Sequence, residues 1–500
     1  MEKTLVNSSG IFYLKSKFFL IRVLSYFSFL LLPVLTQKST DLPFVFSALA
    51  AIFYILFIMS QWFFLGKEID HRLKIYFRVN SSMDRVVYRL FLGMFFFILY
   101  FNVLYLFPGK WINNLFWTTW VLLGLFYSWP TRGKIIKESV TSNFSEFRYL
   151  DSFEKTLVGL VVVMFFISIP GLPNVNSPEA MKLFFVPSDS VSSIYWNFLT
   201  VNYYPFIKYE KLFTLGWSFH FYFVNMSLFL ICFYALLRFF ICRRLSLLGV
   251  FSVISSWSWT KILVVDHGAT LIGTYSLLWV WCLLWVIKSS TYRTGLFFGL
   301  VSFFGVLINQ EWTFLWIPQF ILMFIFMRDK STWYKKQTVR YTLLGAVLTI
   351  LIVIFNSDYF LLNFHLSENF QSSFLRLFSR KAIYSLFPIG LLLIVLYMCD
   401  RKGRLEKWIK IDKQYLKILM SSIFVIALYE LFLPSGLFLT YSMMWVMALF
   451  SLFPLELIFQ AMSRLRSSRN MIYLVYILIC LLDSHFEGRI KVLIRIINSM

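Results

Sequence analysis

Residues 269–287 read ATLIGTYSLLWVWCLLWVI, an uncharged apolar run that ends at Lys288. A helix needs about 20 mostly apolar residues to cross the hydrocarbon core of a membrane, and this run is close to that length. Similar runs recur along the whole chain. They begin near Phe18, Phe44, Val87, Trp111, Leu157, Phe219, Leu245, Ala269, Gly295, Trp312, Tyr341, Ile383, Ile418 and Leu437, with a short one near Met471.

The composition agrees with these runs. Of the 500 residues, 59% are hydrophobic and 14% are charged, and the mean hydropathy is +0.73. A typical soluble domain has about 25% charged residues. The alternating ten-residue strands of a membrane barrel do not occur, so helices must satisfy the backbone. The sequence therefore predicts an all-α fold, a polytopic transmembrane helical bundle of about 14 spans.

The net charge of +23 is distributed between the apolar runs instead of forming one basic block. This pattern is typical of the positive-inside rule and argues against a nucleic-acid partner. It predicts a multi-pass protein of the inner (cytoplasmic) membrane, with membrane lipids as partners. The basic segments expected on the cytoplasmic side are Lys67 to Arg89, Arg132 to Lys155, Arg243 to Arg244, Arg328 to Arg340, and Arg401 to Lys417.

The chain divides into three predicted regions. Residues 1–150 hold about four helices and end in a polar, basic stretch. Residues 151–400 form a core in which a long outer loop, 174–217, is rich in Ser, Asn, Tyr and Pro. Residues 401–500 add C-terminal helices and a basic tail.

Two acidic residues stand out because charge near membrane depth is costly. Asp189 lies in the long outer loop, where a lone Asp among Ser and Pro acts either as a catalytic carboxylate or as a turn or helix cap. Glu311 lies in a connection of about three residues between two apolar runs. It is expected at the membrane surface or in a water-filled cavity.

Two further segments combine charges of both signs. Lys261, Asp266 and His267 belong to one predicted outer connection, where they meet a phosphate or a sugar hydroxyl, or form a plain polar turn. Residues 356–381, which end in Arg380 and Lys381, read as an amphipathic surface helix. Its cations either contact lipid phosphates or simply lie at the interface.

One stretch of motifs resembles a known family. The runs 202–206 (NYYPF), 212–220 (LFTLGWSFH) and 224–228 (VNMSL) resemble the entry to the second core span of GT-C glycosyltransferases of the protein mannosyltransferase type. Residues 256–270 resemble the next outer turn of that family, and residues 300–318 resemble the element that begins its following span. The order and spacing of these weak motifs carry the resemblance.

The resemblance implies a GT-C-like core and a membrane glycosyltransferase. Such an enzyme moves a sugar from a polyprenyl-phosphate carrier to an acceptor on the outer (periplasmic) side of a bacterial membrane. Asp189 would be the base, and Glu311 would orient the acceptor or assist a metal. The metal requirement is unknown, with a divalent cation as the candidate cofactor. The residues implied in substrate binding are Tyr204, His220, Lys261, Asp266, His267, Arg380 and Lys381.

Other classes of protein stay open. The family's acidic pair is here Asp189-Ser190, and the Arg expected before Pro205 is absent, as a non-catalytic GT-C-like protein would allow. A lipid-linked-sugar transporter or polymerase of the cell envelope is the other alternative. A transporter would be expected to hold charged residues deep inside its spans, whereas the apolar runs here are largely uncharged.

Overall fold

The computed structural model describes part of the chain in detail. The described residues are 59, 61–70, 82–104, 149–167, 210–256, 267–308, 310–355, 386–400, 403, 405, 411–431, 437–461, 466–483 and 491. Within them, all regular structure is helical and no strand occurs. The all-helical part of the fold prediction therefore agrees with the structure.

The helices follow the apolar runs. After the helical residues 61–70 come twelve labelled α-helices and one 3-10 helix in the described part of the chain. They are α1 Ser82–Leu104, α2 Ser152–Ile167, α3 Glu210–Phe240, α4 Arg243–Ser255, α5 His267–Lys288, α6 Tyr292–Ile308, the 3-10 helix Gln310–Leu315, α7 Trp316–Phe326, α8 Thr332–Phe355, α9 Phe387–Cys399, α10 Lys413–Leu431, α11 Leu437–Ala461 and α12 Arg466–Asp483.

The predicted polytopic bundle of about 14 spans with a GT-C-like core is wrong for the residues that the structure describes. Among them, no helix combines the length and the apolar character that crossing a membrane requires. Several apolar runs form helices shorter than the runs suggested. Helices α4 and α9 have 13 residues each and α7 has 11. At 1.5 Å per residue, 11 to 13 residues extend about 16 to 20 Å, against a hydrocarbon core of roughly 30 Å.

The chain divides into two compact units. The first comprises Met1–Tyr149 and Asn174–Val224, and the second comprises Leu150–Pro173 and Asn225–Met500. In the first unit, the guanidinium of Arg89 on α1 binds the carboxylate of Asp70 at 3.0 Å. Both side chains are buried, so this ion pair joins α1 to the helical residues 61–70.

Helix α5 lies at the centre of the second unit, in contact with α6, α7, α10 and α11. Its residues from Leu277 to Ile287 are almost fully buried, including Trp279, Trp281 and Trp285. Tryptophan rings of this size contribute a large apolar area to the core. The core of the second unit is therefore built around α5, a helix rich in buried tryptophan.

Helices α6 and α8 pack with their backbones in close approach. A Cβ added at Gly299 would lie 2.8 Å from the carbonyl oxygen of Thr342, and one added at Gly345 would meet the carbonyl of Gly299. The hydroxyl of Thr342 donates to the carbonyl oxygen of Gly295 across the same contact, at 3.1 Å. Small residues thus allow the two helices to meet along several turns.

Candidate functional site

The candidate site lies at one end of the pair formed by α5 and α6. The two helices are joined by residues 289–291 and pack antiparallel, because the ring of Trp281 lies 6.4 Å from Phe297 and that of Trp279 lies 6.1 Å from Phe298. Twelve residues before Trp279 is His267, and twelve residues after Phe298 is Gln310. The antiparallel register therefore brings the start of α5 level with the start of the 3-10 helix.

Two of the residues singled out from the sequence fall at this level. His267 is the first residue of α5, and Glu311 is the second residue of the 3-10 helix. They are 44 residues apart in the chain. By this register, both lie at the end of the α5–α6 pair that is away from the connection 289–291.

The 3-10 helix that carries Glu311 is anchored by aromatic packing. The side chain of Trp312 is 3% exposed, and a Cβ added at Gly305 of α6 would lie 3.3 Å from its Cδ2. The next anchors, Leu315 and Trp316, are also buried. A residue larger than Gly at 305 would press on the indole, so the glycine makes room for the anchor.

A buried polar cluster, Trp279, Ser302 and Gln319, lies below the 3-10 helix. The indole N–H of Trp279 on α5 donates to Oε1 of Gln319 on α7 at 2.9 Å, and the hydroxyl of Ser302 on α6 donates to the same oxygen at 2.6 Å. All three side chains are buried. A buried amide is costly unless it is hydrogen-bonded, so the cluster fixes how α7 leaves the 3-10 helix.

In the described part of the chain, only the oxygen of the Gln319 side-chain amide is hydrogen-bonded. Its Nε2 has no hydrogen-bond partner among the described residues, and the same holds for Oγ1 of Thr313 and Nε1 of Trp316. These three residues are spaced three apart along the 3-10 helix and α7. The segment between Glu311 and Gln319 thus carries several polar atoms that are buried from solvent.

The remaining predicted site residues fall elsewhere. His220 lies in α3, in the part that belongs to the first unit. The side chains of His220, His267 and Glu311 are not described. Six predicted residues lie outside the described part of the chain altogether: Asp189, Tyr204, Lys261, Asp266, Arg380 and Lys381.

The opposite end of the α5–α6 pair is basic and aromatic. The ring of Phe239, near the end of α3, lies 5.2 Å from Trp285 and 6.0 Å from Tyr415 at the start of α10. The ammonium of Lys288 stands over Phe239 and Trp285, 5.2 and 4.9 Å from the ring centroids. These cation–π contacts place the ends of α3 and α5 and the start of α10 together.

Two ion pairs join α2 to α4. Arg243 binds Glu154 with two hydrogen bonds of 2.8 and 2.6 Å, and Arg244 pairs with Asp151. The two acids also cap α2 reciprocally, because each backbone N–H donates to the other's carboxylate, at 3.0 and 2.8 Å. This is a capping box with Asp at the N-cap position.

The electrostatics of Asp151 follow from these contacts. Partial burial alone would raise the pKa of this carboxyl, but the backbone N–H of Glu154 and the guanidinium of Arg244 together outweigh burial. The pKa of Asp151 therefore lies below its ordinary value. Arg243 and Arg244, which the sequence analysis gave as a basic cytoplasmic segment, serve here as structural partners of α2.

A metal site is not visible in the described ranges. They contain no group of three or more His, Cys, Asp and Glu side chains arranged to hold an ion. Asp189 and Asp266 lie outside those ranges. The divalent cation stays a prediction.

The sequence reasoning missed the Trp279, Ser302 and Gln319 cluster. One signal was present: Gln319 is the only amide or charged side chain in the apolar run from Trp312 to Met327. An amide in such a run needs a buried partner. Its partners lie 40 and 17 residues away in the chain, on two different helices, and spacing alone does not identify them.

Comparison with known proteins identifies no relative of this chain. No protein-family model matches this chain, and neither a curated protein nor a solved structure shows significant similarity to it.

Proposed function

We propose that this chain is a glycosyltransferase that moves a sugar from a polyprenyl-phosphate carrier to an acceptor on the outer side of the inner membrane. The observation that carries the proposal is the common level of His267 and Glu311 at one end of the α5–α6 pair. These residues belong to two separate motifs of the GT-C resemblance. Their common level supports one site built from both motifs.

The chemistry assigns a role to each residue. An acceptor hydroxyl attacks the anomeric carbon of the sugar, a carboxylate takes the hydroxyl proton, and the bond from the anomeric carbon to the carrier phosphate breaks. Asp189 is the proposed base, and Glu311 orients the acceptor. The departing phosphate carries negative charge that cations stabilise, and the proposed cations are Lys261, His267, Arg380 and Lys381. Asp266, Tyr204 and His220 complete the proposed binding of the sugar and its carrier.

The exposed surface of the second unit supports a lipid partner. Large apolar side chains face outward on α7, α8, α9, α10 and α12 of the described part of the chain. Ile317 is 68% exposed and Leu482 is 81% exposed. Apolar surface on this scale is typical of contact with a membrane or with another protein. The long polyprenyl chain of a lipid carrier is also apolar, so it could pack against such a surface.

The test is transfer of labelled sugar from a panel of polyprenyl-phosphate donors to membrane acceptors. Vesicles from cells that express the wild-type chain are compared with vesicles that contain Asp189→Asn or Glu311→Gln. A matched control is Asp329→Asn, which removes an exposed acid at the distant α7–α8 connection. We expect transfer by wild type and the control, and a loss of at least about 100-fold in Asp189→Asn, the size typical of general-base catalysis.

Two other outcomes would reject the proposal. If wild type consumes no donor yet binds lipid-linked sugar, the chain is a non-catalytic GT-C-like protein. If it moves the intact lipid-linked sugar across the vesicle membrane or joins sugar units to one another, it is a transporter or a polymerase. Equal amounts of folded protein, measured by size-exclusion chromatography, are required in every comparison.

A further inference from the structure

The connection between α7 and α8 is strongly cationic. The connection itself carries Arg328 and Lys330 beside the single acid Asp329, and the first turns of α8 add three more cations, which are Lys335, Lys336 and Arg340. Arg328, Lys336 and Arg340 are exposed, whereas Lys330 and Lys335 are half-buried. We name this group of five cations the α7–α8 basic turn.

These cations differ from Arg243 and Arg244, which neutralise acids on α2. Within the part of the chain that the structure describes, none of the five forms an ion pair with a carboxylate. The ammonium of Lys335 instead donates to the main-chain oxygen of Arg328 and so closes the turn. The basic turn therefore presents positive charge that the described fold does not neutralise.

Two exposed aromatic residues follow in the first turn of α8. Trp333 is 61% exposed and Tyr334 is 48% exposed, and their rings meet edge to face at 5.0 Å. Trp and Tyr combine an apolar ring with a polar tip, and they concentrate where a membrane meets water. Exposed aromatics among cations thus point to a partner that is both anionic and partly apolar.

The outward face of α8 beyond the basic turn is apolar. Thr338, Thr342 and Gly345 face α6, so the other side of the helix is left open. The exposed apolar residues on that side range from 39% to 65% accessible, and they are Leu343, Leu344, Val347, Leu348, Ile350, Leu351 and Ile354. From Leu343 to Ile354 this stripe extends about 17 Å. Its length is close to half of the roughly 30 Å hydrocarbon core.

Helix α7 continues the same surface. Ile317, Ile321 and Phe324 are exposed at spacings of four and three residues, and Arg328 follows four residues later. This spacing places them along one face of the helix. Both helices that flank the turn therefore change from an apolar face to a cationic end.

We propose that α7 and α8 dock on an anionic phospholipid membrane, with the α7–α8 basic turn at the lipid phosphates. Trp333 and Tyr334 lie at the boundary between headgroups and acyl chains, and the apolar stripe of α8 lies among the acyl chains. Along α8 the exposed aromatic residues and the cations between residues 333 and 340 all precede the apolar stripe that begins at Leu343, as the interfacial region of a bilayer precedes its acyl chains. The long stems of Lys335 and Lys336 allow their ammonium groups to reach the phosphates from a deeper backbone position.

A membrane explains more of the surface than a soluble polyanion does. A nucleic acid or an acidic peptide would neutralise the cations but leave the stripe from Leu343 to Ile354 in water. The proposal does not rest on sugar transfer, because it uses none of the residues of the candidate site. Failure of one proposal therefore leaves the other standing.

The test uses the full-length chain with an environment-sensitive dye on Ser331→Cys, in a background in which the exposed Cys399 is Ser. The protein in non-ionic detergent is titrated with phosphatidylglycerol or with phosphatidylcholine. We expect a saturable dye response to phosphatidylglycerol and little response to phosphatidylcholine. Phospholipids brominated on their acyl chains should quench the dye, because the turn then lies close to the acyl region.

The variant that tests the cations is the triple change Lys335→Gln, Lys336→Gln and Arg340→Gln. Each cation near an anionic surface accounts for about a fivefold change in affinity, so the triple variant should bind phosphatidylglycerol about 100-fold more weakly. The matched control removes three exposed cations elsewhere, through Lys155→Gln, Lys417→Gln and Lys491→Gln. It changes the net charge equally, and its affinity should stay within about twofold of that of the parent.

A second variant separates docking from simple charge attraction. Trp333→Ser with Tyr334→Ser keeps every cation, so the dye should still respond to phosphatidylglycerol, while quenching by brominated lipid should fall. Three results would overturn the proposal: an equal loss of binding in the charge-matched control, an equal response to phosphatidylcholine, or a response to an oligonucleotide or polyglutamate as strong as that to phosphatidylglycerol. Unchanged thermal unfolding of each variant shows that the fold is kept.

Discussion

The cysteines illustrate how burial controls the chemistry of single residues. Cys232 and Cys282 are buried in the core, and burial raises the pKa of both thiols well above the ordinary value. Burial also raises the pKa of Cys242, whose thiol contacts the carboxylate of Glu456 at 4.0 Å. Cys399 at the end of α9 is exposed.

These differences predict the order of thiol alkylation. Cys399 should react first with iodoacetamide, and Cys242 should react more slowly, because the thiolate is the nucleophile and burial raises the pKa of the Cys242 thiol. Cys232 and Cys282 should react only after unfolding. A time course of labelled peptides by mass spectrometry measures all four rates. Labelling of Cys282 in the folded protein as fast as Cys399 would contradict the described core.

The pKa of Asp151 predicts a dependence of stability on pH. Because this pKa is lower in the folded chain than its ordinary value of about 3.8, the carboxylate contributes stability above that value. The contribution is lost as the pH falls through the folded pKa. We therefore expect thermal unfolding of the wild-type chain to occur at lower temperature once the pH falls below about 4.

The variant Asp151→Asn isolates this effect. Asn is as good an N-cap as Asp and exposed ion pairs are weak, so the loss of stability at neutral pH should be less than about 1 kcal/mol. The acid-dependent part of the unfolding curve should become shallower. An unchanged acid dependence in Asp151→Asn would show that other carboxylates carry it.

At the scale of helices, the close approach of α6 and α8 depends on glycine. Gly345→Ala places a methyl group against the backbone of Gly299, where no flexible side chain can move away. Overpacking of this kind costs about 1–3 kcal/mol. We expect a lower midpoint of thermal unfolding in this variant, measured by intrinsic fluorescence.

Gly159 on α2 is the matched control. A Cβ added there meets nothing within 4 Å, and the residue is exposed within a helix. Ala is favoured over Gly in helices by about 1 kcal/mol, so Gly159→Ala should raise the stability. If both Ala variants shift stability in the same direction, the α6–α8 packing is not as described.

The apolar runs located the helices well but not their ends. Runs predicted near Leu245, Ala269 and Leu437 correspond to α4, α5 and α11, which begin at Arg243, His267 and Leu437. Helix ends were missed where tertiary contacts decide them. The run near Trp312 divides into a 3-10 helix and α7, because Trp312 packs on Gly305 and Gln319 bonds to two neighbouring helices. No periodicity within the run shows these contacts.

At the scale of the second unit, the antiparallel register of α5 and α6 makes a prediction about distance. Cysteines introduced at His267 and Glu311 should be joined by a short bifunctional maleimide, in a background with Cys399→Ser. The pair Arg293→Cys and Glu311→Cys should not be joined, because the 17 residues of α6 separate them by about 25 Å. Gel mobility after proteolysis between the two sites distinguishes the two results. If only the pair at residues 293 and 311 were cross-linked, the described antiparallel register would be wrong.

The antiparallel register of α5 and α6 also shows which part of the candidate site could be predicted from the sequence. The sequence singled out His267 and Glu311 separately, from charge near apolar runs, and the fold brings their backbones to one level. The Trp279, Ser302 and Gln319 cluster was not predictable, because its three members look like ordinary core residues until their helices are placed together. The roles of Asp189 and of the other predicted residues outside the described ranges stay predictions.

The ion pairs between α2 and α4 have a consequence for synthesis on the ribosome. Arg243 follows Glu154 by 89 residues, so at 5–20 residues per second it emerges about 4 to 18 seconds later. During that interval Arg243 is not yet present to pair with the carboxylate of Glu154, which is 2% exposed in the folded chain. We therefore expect helix α2 to dock on α4 late in translation, after the first turn of α4 has left the exit tunnel.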